Sequence, residues 1–203
     1  MRIIGITGAS GSGKSSIARA LQHALASDGQ APQLSILPVD AYYRDLSFLT
    51  LDEREAVDFD NPSAIEFELL AEHLKALKQG EAIGCPRYDF AAHSREIETE
   101  IIAPSPLLLV EGLLLGAWDE VSDHVDVLVF VETPLDVCLD RRLRRDCEER
   151  GRTEASVIEF WHQRALPGFN GWAEQARAGA DIIISGELPS AAAATVLRSE
   201  LEL

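Results

Sequence analysis

A chain of 203 residues that is 46% hydrophobic and 26% charged has ordinary globular values, suits one compact domain, and excludes a disordered, collagenous or disulfide-scaffold protein. Eighteen Lys and Arg against thirty-four Asp and Glu leave a net charge of −16. The surface therefore repels nucleic acid and anionic lipid, and a small molecule met by a local basic cluster is the partner to expect. The three cysteines, Cys85, Cys138 and Cys147, form an odd set without a CxxC pair, which fits idle thiols in a reducing setting. With no apolar run near the ~18 residues of a membrane span, a soluble cytoplasmic protein is expected.

The first predicted element is a strand over Arg2–Thr7, short and branched as buried parallel strands are. It runs into Gly8-Ala9-Ser10-Gly11-Ser12-Gly13-Lys14-Ser15, a complete GxxxxGK[ST] pattern, followed by Ser16 and the amphipathic stretch Ile17–Ala26. The chemistry requires this order. Glycines let backbone N–H groups turn toward one anion, the following helix presents its positive end, Lys14 reaches the β- and γ-phosphates, and Ser15 offers a hydroxyl to Mg²⁺. The bland alternative, a glycine-rich turn with an exposed lysine, is disfavoured by the strand–loop–helix context. ATP or GTP with Mg²⁺ is the expected ligand of Gly8–Ser16.

A second strand, Leu34–Val39, ends at Asp40. Ser63 and Glu66 then read as a capping box ahead of Leu70, Leu74 and Leu77, one helical face that Gly80 stops. Between Glu81 and Ala103 the texture changes: Ala82–Tyr88 and Glu96–Ile102 predict a small hairpin projecting from the main sheet. A third strand, Leu107–Val110, ends at Glu111. Ligands of open α/β sheets bind beyond the carboxyl ends of strands, so Asp40 and Glu111 are candidates for the crevice holding the γ-phosphate. One would hold Mg²⁺ through water while the other accepts a proton from an attacking hydroxyl. Either carboxylate alone reads equally well as a cap or turn residue.

Val125–Val131 predicts a fourth strand, and Thr133-Pro134 an N-cap with proline at the first helical position. Arg141, Arg142, Arg144, Arg145, Arg150 and Arg152 then concentrate positive charge in an acidic chain. A helix bearing them is a lid that folds over a triphosphate, or else a solvated helix laced by i,i+4 pairs such as Arg142–Asp146 and Asp146–Arg150. A fifth strand, Asp181–Ile184, precedes a last surface helix over Ser190–Leu203. The five histidines lack ligand-like spacing, and no metal cluster is expected from them. The fold class is therefore α/β, a P-loop NTPase three-layer sandwich with a five-stranded parallel sheet and a small inserted β-hairpin. It is expected to be one domain over 1–203, with the hairpin at 81–103 and the arginine-rich lid at 136–152.

Several further elements occur together: Asp40-Ala41-Tyr42-Tyr43, Phe59-Asp60-Asn61-Pro62, Pro86-Arg87-Tyr88-Asp89-Phe90 with His93 and Arg95, Val110-Glu111-Gly112, and Glu149-Arg150-Gly151-Arg152. With the phosphate loop they resemble the uridine kinase (uridine-cytidine kinase) family of P-loop kinases, related to phosphoribulokinase and pantothenate kinase, from Ile3 to about Gly186. The resemblance implies ATP-dependent phosphorylation of the 5′-hydroxyl of uridine or cytidine, and in many members a homo-oligomer. It implies that Asp40 is the general base and that Glu111 assists Mg²⁺ with Ser15. Asp60 and Arg152 would hold the ribose hydroxyls with Arg142 near the sugar, Tyr88 and His93 would read the base, Phe90 would wall the base slot, and Arg145 would reach the phosphates. Phe160-Trp161 stand where the family usually carries a Gln-Tyr pair. That departure keeps open a kinase for another hydroxylated substrate, such as a ribose phosphate, pantothenate or nicotinamide riboside. A nucleotide-binding regulatory module is the alternative from outside the enzymes.

Overall fold

The computed structural model describes residues 1–26, 33–115 and 119–203. In chain order these form β1 (Arg2–Thr7), α1 (Lys14–Leu25), β2 (Leu34–Pro38), α2 (Leu51–Glu55), α3 (Phe67–Lys78), β3 (Ile83–Cys85), β4 (Tyr88–Asp89), β5 (Ser94–Arg95), β6 (Glu100–Ile102) and β7 (Leu107–Glu111). They continue with α4 (Asp119–Ser122), β8 (Val127–Glu132), α5 (Leu135–Glu149), α6 (Glu154–Phe160), a π-helical turn (Trp161–Ala165), α7 (Leu166–Ala178), β9 (Ile182–Ser185) and α8 (Ser190–Glu200).

The five expected strands form one parallel sheet in the order β2-β7-β1-β8-β9. Successive residues point to opposite faces: Ile3, Leu108 and Val110 pack with α3 and Trp172 of α7, whereas Ile4, Ile6 and Leu109 pack with Ile17 and Leu21 of α1 and Leu197 of α8. This makes the three layers. Because Ala193, Ala194, Leu197 and Leu201 are buried, the terminal helix is half core rather than a surface helix. β8 begins two residues later than predicted. Asp126 instead caps β1, its carboxylate accepting from the Ile3 N–H at 2.6 Å.

The capping box predicted at Ser63 and Glu66 does not form. Ser63 sits in a 3₁₀ turn (Pro62–Ala64) capped by Asn61, whose Oδ1 accepts from the Ser63 N–H at 2.9 Å. Glu66 directs its carboxylate to Arg95 at 2.7 Å, an ion pair that outcompetes the local cap. A capping box does occur one helix earlier, where Thr50 and Glu53 satisfy each other's backbone N–H groups at the start of α2. Thr133 is likewise not the cap of α5. Pro134 occupies that position, and the Thr133 hydroxyl donates to the Ser12 carbonyl at 2.9 Å, tying β8 to the glycine-rich loop.

The predicted hairpin is present as two short antiparallel ladders, β3 with β6 and β4 with β5. Its inner side chains, Ile83, Cys85, Tyr88 and Ile102, join the core under α3. Among the described residues no helix is long and apolar enough to cross a membrane.

Candidate active site

The C-terminal ends of the central strands open onto one cavity of about 590 Å³. Its floor begins with the glycine-rich loop between β1 and α1. Gly11 and Gly13 hold φ of 85° and 101°, which side-chain-bearing residues rarely adopt. A Cβ at Gly11 would also run into the Cys138 carbonyl of α5. The loop thus curls tightly enough for the first turn of α1 to face the cavity with its unbonded N–H groups and positive dipole end. Lys14 is buried, its Nζ donating to the Ala9 carbonyl at 3.2 Å, so the ammonium arches back over the loop. The Ser16 side chain is exposed, which leaves its backbone N–H as the group directed along the first turn of α1.

Sheet register sets the carboxylates. Glu111 pairs with Ile6 on one side and Pro38 on the other, and Asp40 follows Pro38 in a 3₁₀ turn over Val39–Tyr42. Both acids therefore end adjacent strands above the loop. Ser15 Oγ donates to Glu111 Oε2 at 2.9 Å. Burial raises the Glu111 carboxyl above its ordinary range and the nearby Asp40 charge adds to this, while Lys14 opposes it. Arg95 braces the Asp40 turn by donating to the Tyr43 and Tyr42 carbonyls at 2.8 and 3.1 Å.

Farther along the cavity, Asp60 and Arg142 form a buried ion pair at 3.0 Å. Burial alone would lower the Arg142 pKa, but Asp60 and Asp146 outweigh it and hold the guanidinium charged. An aromatic wall follows. Tyr43 packs on Phe59 and Tyr88 with centroids 5.2 Å apart in each case, Tyr88 lies 5.4 Å from Phe90, and His93 stacks on Phe59 at 4.9 Å and 16°. The Tyr88 hydroxyl is buried and has no hydrogen-bond partner among the described residues. Phe160 closes the opposite side beneath Arg142, Arg152 and Arg164, whose guanidinium carbons stand 5.0, 5.2 and 5.9 Å from its ring.

Side chains singled out from the sequence thus share one space: Ser10, Lys14, Ser15, Asp40, Asp60, Tyr88, Phe90, His93, Arg142, Arg145 and Arg152 line it, and Glu111 joins through Ser15. Gly8, Ala9, Gly11, Ser12 and Gly13 supply the loop backbone. The solvated-helix reading of the arginine segment fails at Asp146, whose side chain is only 1% exposed while Arg142 and Arg150 approach it at 3.4 Å. Asp146 was not singled out. Its signal was that it belonged to two of the i,i+4 pairs at once, with Arg145 adjacent. Tyr43 and Phe59, which belong to the elements of the resemblance but carry no assigned role, and Arg164, which belongs to none, also line the cavity.

The oxygen set Ser15, Asp40 and Glu111 suits a hard cation that keeps waters and phosphate oxygens as its remaining ligands. A fully protein-built site is not found: among the described residues no group of three or more His, Cys, Asp or Glu could hold a metal.

Residues 3–191 match the model of the "Phosphoribulokinase / Uridine kinase family". The chain is 40% identical over 200 residues to the uridine kinase of Shewanella amazonensis (strain ATCC BAA-1098 / SB2B), covering 98% of this chain and 94% of that one. It is 42% identical over 182 residues to the uridine kinase of Escherichia coli (strain K12), covering 90% and 85%. Among solved structures it resembles a kinase assigned to a fructose transport system in Silicibacter sp. TM1040, with TM-score 0.71, 24% identity and coverage of 90% and 88%. It also resembles shikimate kinase from Bacteroides thetaiotaomicron, with TM-score 0.56, 16% identity and coverage of 100% and 99%. At these identities the structural likenesses bear on the fold alone.

Proposed function

The chain belongs to the phosphoribulokinase/uridine kinase family, and from that membership we propose that it transfers the γ-phosphoryl group of ATP to the 5′-hydroxyl of a pyrimidine nucleoside, uridine or cytidine. The observation that carries the reading is the single cavity in which Lys14 and Ser15, the Asp40 carboxylate, and the Asp60–Arg142 pair face the same space. Phosphoryl transfer asks mainly for positioning and charge neutralisation, which such a cavity provides.

In this reading the Gly8–Ser16 backbone and Lys14 hold the β- and γ-phosphates, and Arg145, which reaches Ser10 Oγ at 3.5 Å, adds charge from the lid over 136–152. Asp40 takes the proton from the attacking hydroxyl as the new O–P bond forms and ADP leaves. Asp60 accepts from the vicinal ribose hydroxyls, with Arg142 and Arg152 flanking it. Tyr88 and His93 meet the edge of the base, and Phe90 and Phe160 bound its slot. Ser15, Glu111 and Asp40 are the residues that would hold Mg²⁺, which when bound neutralises charge on the β- and γ-oxygens.

The Cys85, Cys138 and Cys147 thiols are free, which supports a reducing, cytoplasmic setting. Salvage of preformed pyrimidine nucleosides is the use such a reaction serves, and the reading extends to a homo-oligomer. The test is ADP release measured with ATP and, in turn, uridine, cytidine, ribose phosphates, pantothenate and nicotinamide riboside. Turnover should be confined to the two nucleosides. Turnover on another acceptor with none on either nucleoside would replace the reading, and ATP binding without transfer to any acceptor would make the chain a nucleotide-binding module.

A further inference from the structure

Asp146 of α5 carries a fully buried carboxylate that holds guanidiniums from both halves of the cavity: Arg145 from the phosphate half, and Arg142, Arg152 and Arg150, the last over the Phe90 ring at 4.5 Å, from the acceptor half. Oδ1 takes Arg145 through both Nε and Nη2 at 2.8 Å, and Arg150 Nη1 at 3.4 Å. Of the guanidiniums on Asp146, Arg145 is the one that reaches the phosphate loop, through Ser10 Oγ; Arg141, which does not meet Asp146, also donates to the loop's Gly11 and Ser12 carbonyls. Oδ2 takes Arg142 Nε at 3.4 Å and Arg152 Nη1 at 3.8 Å. Arg142 is the partner of Asp60, and both arginines lie over Phe160 in the acceptor half. The Oδ2 contacts are charge contacts only: among the described residues neither Oδ2 nor Arg142 Nε has a hydrogen-bond partner.

An ionised carboxylate withdrawn from water is costly unless its charge is matched, and a buried oxygen lacking a hydrogen bond forgoes a further stabilisation. Turning Arg142 Nε toward Oδ2, which it already approaches at 3.4 Å, or drawing Arg152 in from 3.8 Å would complete that bond. Because one carboxylate holds guanidiniums of both halves, a movement of those on one side would reach those on the other through Asp146. We infer that Asp146 is a positioning residue that couples the nucleotide and acceptor half-sites, so that occupation of the phosphate loop tightens binding of the hydroxylated acceptor, and the reverse. The inference rests on the nucleoside kinase reading. It requires no contact between Asp146 and either substrate. Linkage makes the effect reciprocal, and coupling of this kind is commonly about 5–150-fold.

The test is calorimetric titration of uridine or cytidine into the whole protein, alone and saturated with a non-hydrolysable ATP analogue and Mg²⁺. The wild type should bind nucleoside about tenfold or more tightly with the analogue present. In Asp146→Asn, which keeps size and an acceptor oxygen but loses the charge, that ratio should fall to within about twofold of unity. Asp140→Asn, an exposed change on the same helix, should retain the wild-type ratio. Because Asp146→Asn removes a buried charge and can fail to fold, Arg145→Ala provides a second arm at a side chain that is 32% exposed. At saturating analogue it too should show no tightening. A wild-type ratio near unity, or one that persists in either variant, overturns the coupling while leaving the kinase reading intact. Failure of the wild type to bind either nucleoside in any state overturns the reading and this inference with it.

Discussion

The Ser15 hydroxyl donates to the buried Glu111 carboxyl at 2.9 Å, joining the phosphate loop to the end of the neighbouring strand. Burial raises the Glu111 pKa above that of an ordinary glutamate, so the fold favours the protonated acid. That preference stabilises the fold fully below the unfolded pKa and is lost as pH rises through the higher folded one. Glu111→Gln keeps an acceptor for Ser15 and removes the charge. Its melting temperature relative to wild type should therefore climb as pH rises from about 4.5 toward neutrality, while turnover with ATP and Mg²⁺ falls. Thermal melts across pH 4–8 check this. A difference that is flat with pH would mean that Glu111 carries no unfavourable charge in the apo fold.

Asp40→Asn separates base chemistry from nucleotide binding. The turn carrying Asp40 is braced from outside by Arg95 through the Tyr42 and Tyr43 carbonyls, so the amide should hold its place. Loss of the general base should lower kcat by ~10²–10⁴-fold with ATP affinity within about twofold of wild type. Steady-state kinetics and a nucleotide titration check it. Turnover close to wild type would remove Asp40 from the role.

The sheet and the phosphate loop were legible because each has a local cause. Branched runs such as Leu107–Val110 have few alternatives to a buried strand, and GxxxxGK[ST] encodes a backbone path. The ends of helices were less legible. Ser63 and Glu66 satisfy the capping pattern, yet Ser63 is drawn into a 3₁₀ turn capped by Asn61, α3 starts only after Glu66, and Glu66 finds Arg95 twenty-nine positions away in the chain, a competition that spacing does not contain. Thr133 was diverted by the Ser12 carbonyl in the same way. Within the site, Asp40 is legible as the acid that ends a strand and Asp60 only through the family resemblance, whereas Asp146 reads as one member of i,i+4 pairs on a helix. Its burial follows from α5 laying its Arg142 side against Asp60, a contact across eighty-two positions.

Tyr88→Phe tests the unpartnered hydroxyl in the aromatic wall. Removing a buried O–H that makes no hydrogen bond in the apo protein relieves a desolvation cost, so the melting temperature should stay level or rise. If that hydroxyl meets the base edge, kcat/KM for the nucleoside should fall by about tenfold, the equivalent of one hydrogen bond near 1.4 kcal/mol, with KM for ATP unchanged. Melting curves and kinetics on the same preparation decide. A lower melting temperature with unchanged kcat/KM would make the hydroxyl structural.

The Asp60–Arg142 pair should behave unlike a surface salt bridge, because the two side chains are only 7% and 6% exposed. Breaking such a pair from one side typically costs ~3–5 kcal/mol, since the survivor is left charged and buried. The two sides are unequal here. Asp60→Asn leaves Arg142 beside Asp146 at 3.4 Å, whereas Arg142→Met strands Asp60 without its cation and Asp146 without one of its four. Asp60→Asn should therefore cost the smaller share, and the double variant should cost less than the two single losses added together. Urea denaturation of the three variants and wild type gives the cycle. Strict additivity would mean that the pair contributes no coupling to the fold and that its geometry serves the acceptor alone.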